Sequence, residues 1–212
     1  MKGKPLAYLT GKKGFWKSDF IISPDVLVPR PETETLVEAV LNENLQGKTL
    51  LELGTGSGVI SISIAQESRD CIIFATDISI KSILVAKQNA EKFCCENIIF
   101  LNHDWNNEWL FPQVDYLISN PPYVDKEKTS GKEEGIWYEP EKALFSNDKG
   151  LSDLRLILSK GKNYLNENGK VYLEHAPDQY EELNKFALEN GYLNFSNLND
   201  LNGDKRVSIY QC

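Results

Sequence analysis

A glycine-rich turn, Gly54-Thr-Gly-Ser-Gly58, constrains the fold of this chain more than any other feature. It follows the apolar run 50–53, which is typical of a buried strand, and the helical segment 59–65 comes directly after it. Strand-like runs then alternate with segments of helical periodicity along the rest of the chain. This alternation predicts an α/β fold with a doubly wound sheet.

The positions of the expected elements follow from the same patterns. We expect strands at 50–53, 71–76, 98–101, 114–118, 170–174, 192–198 and 206–210, and helices at 59–65, 80–90, 151–164 and 177–190. Residues 124–150 form a long, irregular stretch with runs of charge. A loop of that length in a compact α/β domain is usually a lid, a binding loop or a mobile insert.

The first thirty residues have a different pattern. Apolar pieces alternate with turn signals over residues 6–28, and we expect β-hairpin structure there. Pro31 suits the first turn of a helix. We expect that helix to end at Gly47 and to bury one apolar face, formed by Leu36, Val37, Val40, Leu41 and Leu45. We therefore divide the chain into an N-terminal hairpin and linker, residues 1–30, and one α/β domain, residues 31–212.

Composition argues against several classes of protein. No apolar run approaches the roughly 20 residues that span a bilayer, and the start, Met-Lys-Gly-Lys-Pro, lacks the apolar core of a secretory signal. The four cysteines show no CxxC spacing and lie far from the two histidines, so we expect no metal site and reduced thiols in the cytoplasm. The net charge of −8 argues against tight binding to a phosphate backbone.

The segment Ser119-Asn-Pro-Pro-Tyr123 carries the candidate chemistry. It follows a short apolar run, so it lies where a buried strand ends and a loop begins. Two consecutive prolines stiffen the turn and remove two backbone donors. A planar amide or amino group could lie against Tyr123 while its N–H groups bond to Asn120 Oδ1 and to the Pro121 carbonyl. This arrangement suits chemistry on a planar nitrogen, although a proline-rich turn that merely closes a strand is the simpler reading of Pro-Pro alone.

The glycine turn fits neither a dinucleotide fingerprint nor a phosphate-binding loop, because position 59 is Val and no Lys-Ser/Thr pair follows. Asp77 ends the next strand, where an acidic residue can bond the hydroxyls of a ribose. The turn and this Asp resemble the S-adenosylmethionine site of class I methyltransferases. That resemblance would put the adenine of the cofactor near Asp104, which could accept from its amino group, and near Trp105, which could pack on its ring.

Taken together, the motifs resemble those of the HemK/PrmC-type protein-(glutamine-N5) methyltransferases, which modify peptide-chain release factors. The resemblance covers nearly the whole chain, and the segment ahead of the glycine turn is its most specific part. The matching pieces are Pro5–Gly11, Phe15-Trp16, Val28-Pro-Arg-Pro-Glu-Thr-Glu34, Glu52–Gly58, Asp77, Asp104-Trp105, Asn120–Tyr123, Tyr138-Glu-Pro140, Ala143-Leu144, Gly150-Leu151, Leu173-Glu-His175 and Arg206-Val207.

The resemblance implies a Rossmann-like fold with a mostly parallel, seven-stranded sheet, S-adenosylmethionine as cofactor, and a release factor as partner. The substrate would be the glutamine of its Gly-Gly-Gln motif. The implied catalytic residues are Asn120, Pro121 and Tyr123, and the implied substrate contacts are these three with Pro122 and Phe15. The implied cofactor contacts are Glu52, Gly54, Thr55, Gly56, Ser57, Gly58, Asp77, Asp104, Trp105 and Asn120. No dedicated base is required, and His175 is more typical of a structural histidine.

Members of this family usually carry an N-terminal helical domain ahead of the Pro5–Gly11 segment, and this chain begins at that segment. We therefore expect weaker docking of an intact release factor, with the chemistry unaffected. Two other functions stay open. An N-methyltransferase acting on adenine or guanine of nucleic acid would use the same segment, but the acidic balance disfavours it. A cofactor-binding subunit that is inactive alone is disfavoured by the intact Asn120–Tyr123 segment.

Overall fold

The structure is a computed structural model that describes residues 3–129 and 136–212. Its helices are α1 Leu6–Thr10, α2 Glu34–Leu41, α3 Val59–Glu67, α4 Ile80–Lys92, α5 Glu141–Leu144, α6 Ser152–Gly161 and α7 Tyr180–Glu189. Its strands are β1 Lys12–Phe15, β2 Ser18–Ile21, β3 Thr49–Leu53, β4 Ile72–Asp77, β5 Ile98–Asn102, β6 Val114–Ser119, β7 Leu165–Glu174, β8 Asn194–Asn199 and β9 Lys205–Gln211. Short 3₁₀ turns lie at Pro31–Thr33, Ile136–Tyr138 and Lys162–Tyr164.

The main sheet of the described residues has seven strands in the order β5-β4-β3-β6-β7-β9-β8. Its strands pair in parallel except where β9 runs antiparallel to β7 and β8. The expected doubly wound, mostly parallel α/β fold is therefore confirmed. The order of the strands reverses between β3 and β6, and ligands of such sheets bind at the carboxyl ends of the strands beside that point.

Both faces of the sheet are covered by apolar residues. Along β3, Leu50 belongs to one hydrophobic cluster, whereas Leu51 and Leu53 belong to another. Side chains of a strand alternate between faces, so the two clusters lie on opposite sides of the sheet. The first cluster includes residues of α2, α3 and α4, and the second includes residues of α6 and α7. The carboxyl ends of β3 and β6 are thereby held on a rigid support.

The N-terminal segment contains the expected hairpin, β1 paired with β2, but it differs ahead of it. Leu6–Thr10, which we expected to be part of the hairpin structure, is a helical turn that ends at Gly11 in the left-handed conformation. The turn buries Tyr8, whose hydroxyl donates to the carbonyl of Val26 at 2.6 Å. A tertiary contact therefore decides the conformation of these residues.

Two further expectations need correction. Helix α2 starts as expected after Pro31 but ends at Leu41 and not at Gly47. The chain then forms a turn in which Asn44 accepts from the backbone N–H of Gln46. Leu45 is nevertheless buried. The expected irregular stretch 124–150 contains α5 and a bridge between Val124 and Phe145. The part of that expectation that concerns residues 130–135 lies outside the described residues.

Within the described ranges, no helix is long and apolar enough to cross a membrane. The same ranges contain no group of three or more His, Cys, Asp or Glu side chains that could hold a metal ion.

Candidate functional site

The glycine turn lies at the carboxyl end of β3 and is held by the backbone of the neighbouring strand. The N–H groups of Gly54 and Thr55 both donate to the carbonyl of Thr76, at 2.9 and 2.8 Å. Gly54, Gly56 and Gly58 all have positive φ angles, which glycine adopts without strain. A side chain on Gly56 would meet nothing within 4 Å, so the middle of the turn faces open space. The turn therefore exposes its backbone to a ligand.

Gly54 and Trp105 are in close contact. A Cβ atom on Gly54 would lie 3.1 Å from the Trp105 ring, so a larger residue would push the ring away from the turn, and the φ angle of +79° also favours glycine. The indole N–H donates to Asp153 at 3.1 Å, which fixes the orientation of the ring. Trp105 thus lies beside the turn and is also packed on the hydrophobic cluster of α6 and α7.

Asp77 closes the same turn from the end of β4. Its Oδ2 accepts from the backbone N–H of Gly56 at 2.9 Å, and its Oδ1 accepts from the backbone N–H of Ser79 at 2.8 Å. Burial raises the pKa of Asp77 above its ordinary value, although the two backbone N–H donors oppose the shift. Each carboxylate oxygen has capacity for one further donor, such as a ribose hydroxyl.

Glu52 lies beneath the turn and not on its open side. It is fully buried, and its Oε2 accepts from the hydroxyls of Thr55, at 2.8 Å, and of Ser61. Burial raises the pKa of Glu52 to about 7, against the opposing effect of these hydroxyls. Its Oε1 has no hydrogen-bond partner among the described residues. Glu52 supports the shape of the turn from inside the protein.

Asn120 lies at the end of β6 and lines the same cleft as the turn. Its Nδ2 donates to the hydroxyl oxygen of Thr33 at 3.1 Å. Within the described ranges, no donor bonds to its Oδ1, which is the acceptor that the sequence predicted for an incoming amide. The strand end is itself anchored to the turn, because the Ser119 hydroxyl donates to the carbonyl of Leu53 at 2.7 Å.

Tyr123, the last residue of the segment, is tied to β7. Its hydroxyl donates to Glu174 Oε1 at 2.9 Å, and its backbone carbonyl accepts from Gln179 Nε2 at 3.0 Å. Burial and the neighbouring Glu174 carboxylate hold the pKa of Tyr123 well above its ordinary value. Tyr123 is therefore a neutral, hydrogen-bonded ring that packs partly on the α6 and α7 cluster.

An ion pair joins a segment that lines the cleft to a distant part of the chain. Arg30, which lines the cleft, donates from its guanidinium to Glu139 Oε1 at 2.5 Å. Glu139 Oε2 accepts from the backbone N–H of Val28 at 2.9 Å, and the carboxylate is almost fully buried. Glu139 therefore holds the Val28–Arg30 segment against the cleft.

The cleft brings together part of the set of residues that the sequence predicted for cofactor and substrate. Gly54, Thr55, Gly56, Ser57 and Asn120 line it. Pro121 and Pro122 are buried beside Asn120. A larger depression of about 440 Å³ lies near Trp16 and Glu67, but it contains none of the predicted site residues. The candidate site is therefore the smaller cleft, whose residues can contact a cofactor.

Phe15 is the clear correction among the predicted site residues. It is 3% exposed and packs edge-on against Phe20, with ring centroids 6.1 Å apart. A substrate contact by Phe15 does not agree with this burial. The sequence could not predict that Phe15 is buried, because it does not show which face of a two-stranded ribbon is covered by the rest of the protein.

Asp104, a predicted cofactor contact, and His175, which the sequence indicates to be structural, both make contacts within the protein itself. Asp104 Oδ1 accepts from the backbone and side chain of Asn106, at 2.9 and 2.8 Å, and these bonds lower its pKa. Its Oδ2 remains the oxygen that could meet an adenine amino group. His175 is fully buried between Ser208 and the carbonyl of Ala176, so the structural reading of this residue holds.

Sequence reasoning gave no role to Thr33, Arg30, Glu139 or Glu174, all of which contact the site or its lining. The first two lie in the Pro-Arg-Pro-Glu-Thr-Glu segment and the others in the 138–140 and 173–175 pieces. Those pieces were visible as motifs. Their partners were not, because each pairing joins residues that lie far apart in the sequence.

S-adenosylmethionine fits the glycine turn and the residues that contact it. The turn offers positive-φ glycines with open space at Gly56, which lets a ligand approach the backbone. Asp77 can accept from ribose hydroxyls, and the Trp105 ring is a flat apolar surface at the edge of the turn. These groups match the polar and apolar parts of a nucleoside attached to a short charged tail.

Comparisons with known proteins agree with this geometry. Residues 31–139 match the family model described as the methyltransferase small domain. A relative from Salmonella typhimurium, named release factor glutamine methyltransferase, is 35% identical over 209 residues, which is 98% of this chain and 75% of that protein. A relative of the same name from Escherichia coli is 34% identical, with the same coverage. A methyltransferase from Pyrococcus furiosus shares the fold, with a TM-score of 0.67 and 20% identity over 91% of this chain and 88% of the other.

Proposed function

The chain belongs to the family of release factor glutamine methyltransferases, and we propose that it methylates the side-chain amide nitrogen of the glutamine in a Gly-Gly-Gln motif. It is an S-adenosylmethionine-dependent enzyme. The observation that carries the finer proposal is the position of Asn120, which lines the cleft of the glycine turn with its amide anchored to Thr33.

We propose that Gly54–Gly58 and Asp77 hold the cofactor, with Asp104 and Trp105 near its adenine. Backbone of the turn would approach the amino-acid part, and Asp77 would accept from the ribose. Glu52 would act indirectly, because its contacts with Thr55 and Ser61 lie beneath the turn. When bound, S-adenosylmethionine supplies a methyl group on a sulfonium, which is already activated and needs no acid.

A glutamine amide nitrogen is a poor nucleophile because its lone pair is delocalised into the carbonyl. We propose that Asn120 Oδ1 and the Pro121 carbonyl accept its two N–H groups and so fix its position and direction. Acceptors placed in this way also stabilise positive charge that develops on the nitrogen in the transition state. Tyr123 would pack beside the amide. The proton can leave to water after the transfer, so the neutral, buried His175 has no part in it.

The partner in this proposal is a peptide-chain release factor, which the names of the relatives suggest. The proposal includes a cytoplasmic location, where release factors work. It also keeps residues 1–30 as a hairpin and linker and residues 31–212 as the methyltransferase domain. Phe20 and Ile22 of the first segment lie in the same hydrophobic cluster as α2, which supports a linker that is packed onto the domain.

The test is to incubate the protein with isotope-labelled S-adenosylmethionine and three acceptors: a release factor, the same factor with its Gly-Gly-Gln glutamine replaced by Glu, and transfer RNA or DNA. We expect label only in the unmodified factor, with mass spectrometry placing the methyl on that glutamine. Label in nucleic acid, or equal label in the Glu variant, would overturn the proposal. An Asn120→Ala enzyme is the matched control for contaminating activity.

A further inference from the structure

We propose that Thr33 and Glu174 are positioning residues, which together set the direction of the Asn120 side-chain amide. This inference rests on the proposed function, because it assigns the roles that make Asn120 useful to a substrate amide. Neither residue needs to touch the substrate. Thr33 contacts Asn120 directly, and Glu174 acts through Thr33.

An Asn side chain has two orientations that differ by exchange of its oxygen and nitrogen, and its neighbours decide between them. In the structure, Nδ2 of Asn120 donates to Thr33 Oγ1, which leaves Oδ1 without a donor among the described residues. This orientation supplies an acceptor for a substrate N–H. The opposite one would offer an N–H to another N–H, which is repulsive.

A hydroxyl group alone does not fix this choice, because it can either donate or accept. Thr33 acts only as an acceptor for Asn120 if its own O–H group donates a hydrogen bond to another group. Thr33 is 2% exposed, so water cannot easily take that proton. A third group beside the hydroxyl must therefore accept it.

Glu174 is that group. Its carboxylate is fully buried at the end of β7, and the hydroxyls of Thr33 and Tyr123 both lower its pKa, although burial dominates and raises it to about 7. Tyr123 occupies Oε1 at 2.9 Å. Within the described residues, Oε2 is buried without a hydrogen-bond partner, so when Glu174 is ionised this oxygen can accept a hydrogen bond from the Thr33 hydroxyl.

The same carboxylate therefore holds both ends of the Asn120–Tyr123 segment. Tyr123 is fixed directly by its hydroxyl, and Asn120 is fixed through Thr33. The register of the sheet makes this possible, because Ser119 of β6 pairs with Leu173 of β7, the residue before Glu174. The end of one strand thus supports the loop that follows its neighbour.

Three variants separate this role from a merely structural one. Thr33→Val keeps the shape and removes the hydroxyl, whereas Thr33→Ser keeps the hydroxyl. Glu174→Gln keeps an acceptor for Tyr123, but its N–H group would donate to Thr33 and compete with Asn120. Each variant is compared with the wild type for kcat and KM with a release factor, affinity for S-adenosylmethionine, and melting temperature.

We expect kcat to fall roughly 10-fold in Thr33→Val and in Glu174→Gln, and to stay within about 3-fold in Thr33→Ser. Affinity for S-adenosylmethionine should not change. Because Glu174 acts through Thr33, the double variant Thr33→Val with Glu174→Gln should be no slower than either single variant. Wild-type kcat in Thr33→Val, or effects that multiply in the double variant, would overturn the inference. If Thr33→Val does not fold, Glu174→Gln and Thr33→Ser still decide it.

A second readout does not depend on activity. In nuclear magnetic resonance, the side-chain NH₂ protons of Asn120 should exchange slowly in the wild type and in Thr33→Ser, and faster in Thr33→Val. Equal exchange in all three would overturn the inference even if the enzyme is active. Absence of methyl transfer by a folded wild type to any release factor would defeat the proposed function instead, while slow exchange would still support the bond to Thr33.

Discussion

The glycine turn and the Asn120–Tyr123 segment both follow central strands of the sheet, but they are held in place by different kinds of contact. The turn is held through its backbone N–H groups: those of Gly54 and Thr55 bond to the carbonyl of Thr76, and that of Gly56 bonds to Asp77. The Asn120–Tyr123 segment is fixed by hydrogen bonds between side chains that lie far apart in the sequence. Asn120 bonds to Thr33, 87 residues before it, and Tyr123 bonds to Glu174, 51 residues after it.

This difference indicates how substitutions should affect each of the two regions. The turn takes much of its shape from its own glycines and from backbone bonds, with Asp77 and Glu52 as side-chain supports. A segment held by distant side chains depends on the packing of the whole domain. We therefore expect changes near the second region to act through shape and turnover, and changes in the first to act through cofactor affinity.

The strongest test of this contrast is a substitution at Gly150, which packs against the backbone of Tyr123. A Cβ atom on Gly150 would lie 2.0 Å from the backbone oxygen of Tyr123, and the φ angle of +86° is itself unfavourable for alanine. We expect Gly150→Ala to lower the free energy of unfolding by about 3 kcal/mol or more, from overpacking and backbone strain together. Chemical denaturation measures this change.

Gly203→Ala is the matched control for that variant. Its φ angle is +88°, but a Cβ atom there would meet nothing within 4 Å. Strain alone should cost about 1 kcal/mol. Equal losses in the two variants would show that the packing against Tyr123 contributes nothing, and the contrast between the two regions would fail.

A second test concerns Asn120. In Asn120→Ala we expect kcat to fall on the order of 100-fold or more, because one acceptor for the developing charge is lost. Affinity for S-adenosylmethionine should survive, since the glycine turn is intact. Steady-state kinetics and calorimetry measure the two quantities. If turnover stays within a few-fold of the wild type, the segment is only a turn that closes a strand.

A third test moves to the cofactor side. Asp77→Ala should reduce the affinity for S-adenosylmethionine by about 1.5–3 kcal/mol, because ribose hydrogen bonds are lost. It also leaves the N–H of Gly56 without its acceptor. Asp77→Asn retains one oxygen acceptor and should lose less. Affinity unchanged in Asp77→Ala by calorimetry would show that the ribose is held elsewhere.

A further test concerns the dependence of stability on pH. Each region contains one fully buried carboxyl, Glu52 or Glu174, with a pKa raised from its usual 4.5 to about 7. Between those values the folded protein binds more protons than the unfolded chain, so the free energy of unfolding falls as pH rises from about 4.5 to about 7. Glu52→Gln and Glu174→Gln should each make this fall smaller.

The measurement is the difference between variant and wild type across pH 4.5 to 8. The difference removes the opposite contribution of His175, whose lowered pKa of about 4 affects both proteins equally. Only Glu174→Gln should also lower kcat. An unchanged pH dependence in both variants would show that neither carboxyl is protonated near neutral pH in the folded protein.

Much of the fold and of the cofactor side could be predicted from the sequence, because their causes are local. Gly54–Gly58 must form a tight turn wherever a strand feeds a helix, and Pro31 must begin a helical turn. The stiffness of Asn120–Tyr123 likewise follows from two adjacent prolines. In each case the residues that impose the geometry are the residues that adopt it.

The sequence did not predict contacts that depend on which strands become neighbours. Phe15 was expected at the substrate and is instead in the core, because the hairpin turns that face toward the domain. Leu6–Thr10 was expected in hairpin structure and is helical, because Tyr8 reaches the carbonyl of Val26. The environment of such residues is set by segments that lie elsewhere in the chain.

The orientation of Asn120 is the clearest case of a feature that only the tertiary structure decides. The sequence by itself places an amide at the end of a strand. Whether its oxygen or its nitrogen faces the cleft depends on Thr33, and the direction of the Thr33 hydroxyl depends on a carboxylate buried at the end of β7. Local sequence fixes backbone angles, whereas hydrogen bonds between distant side chains exist only after the sheet has brought β6 beside β7.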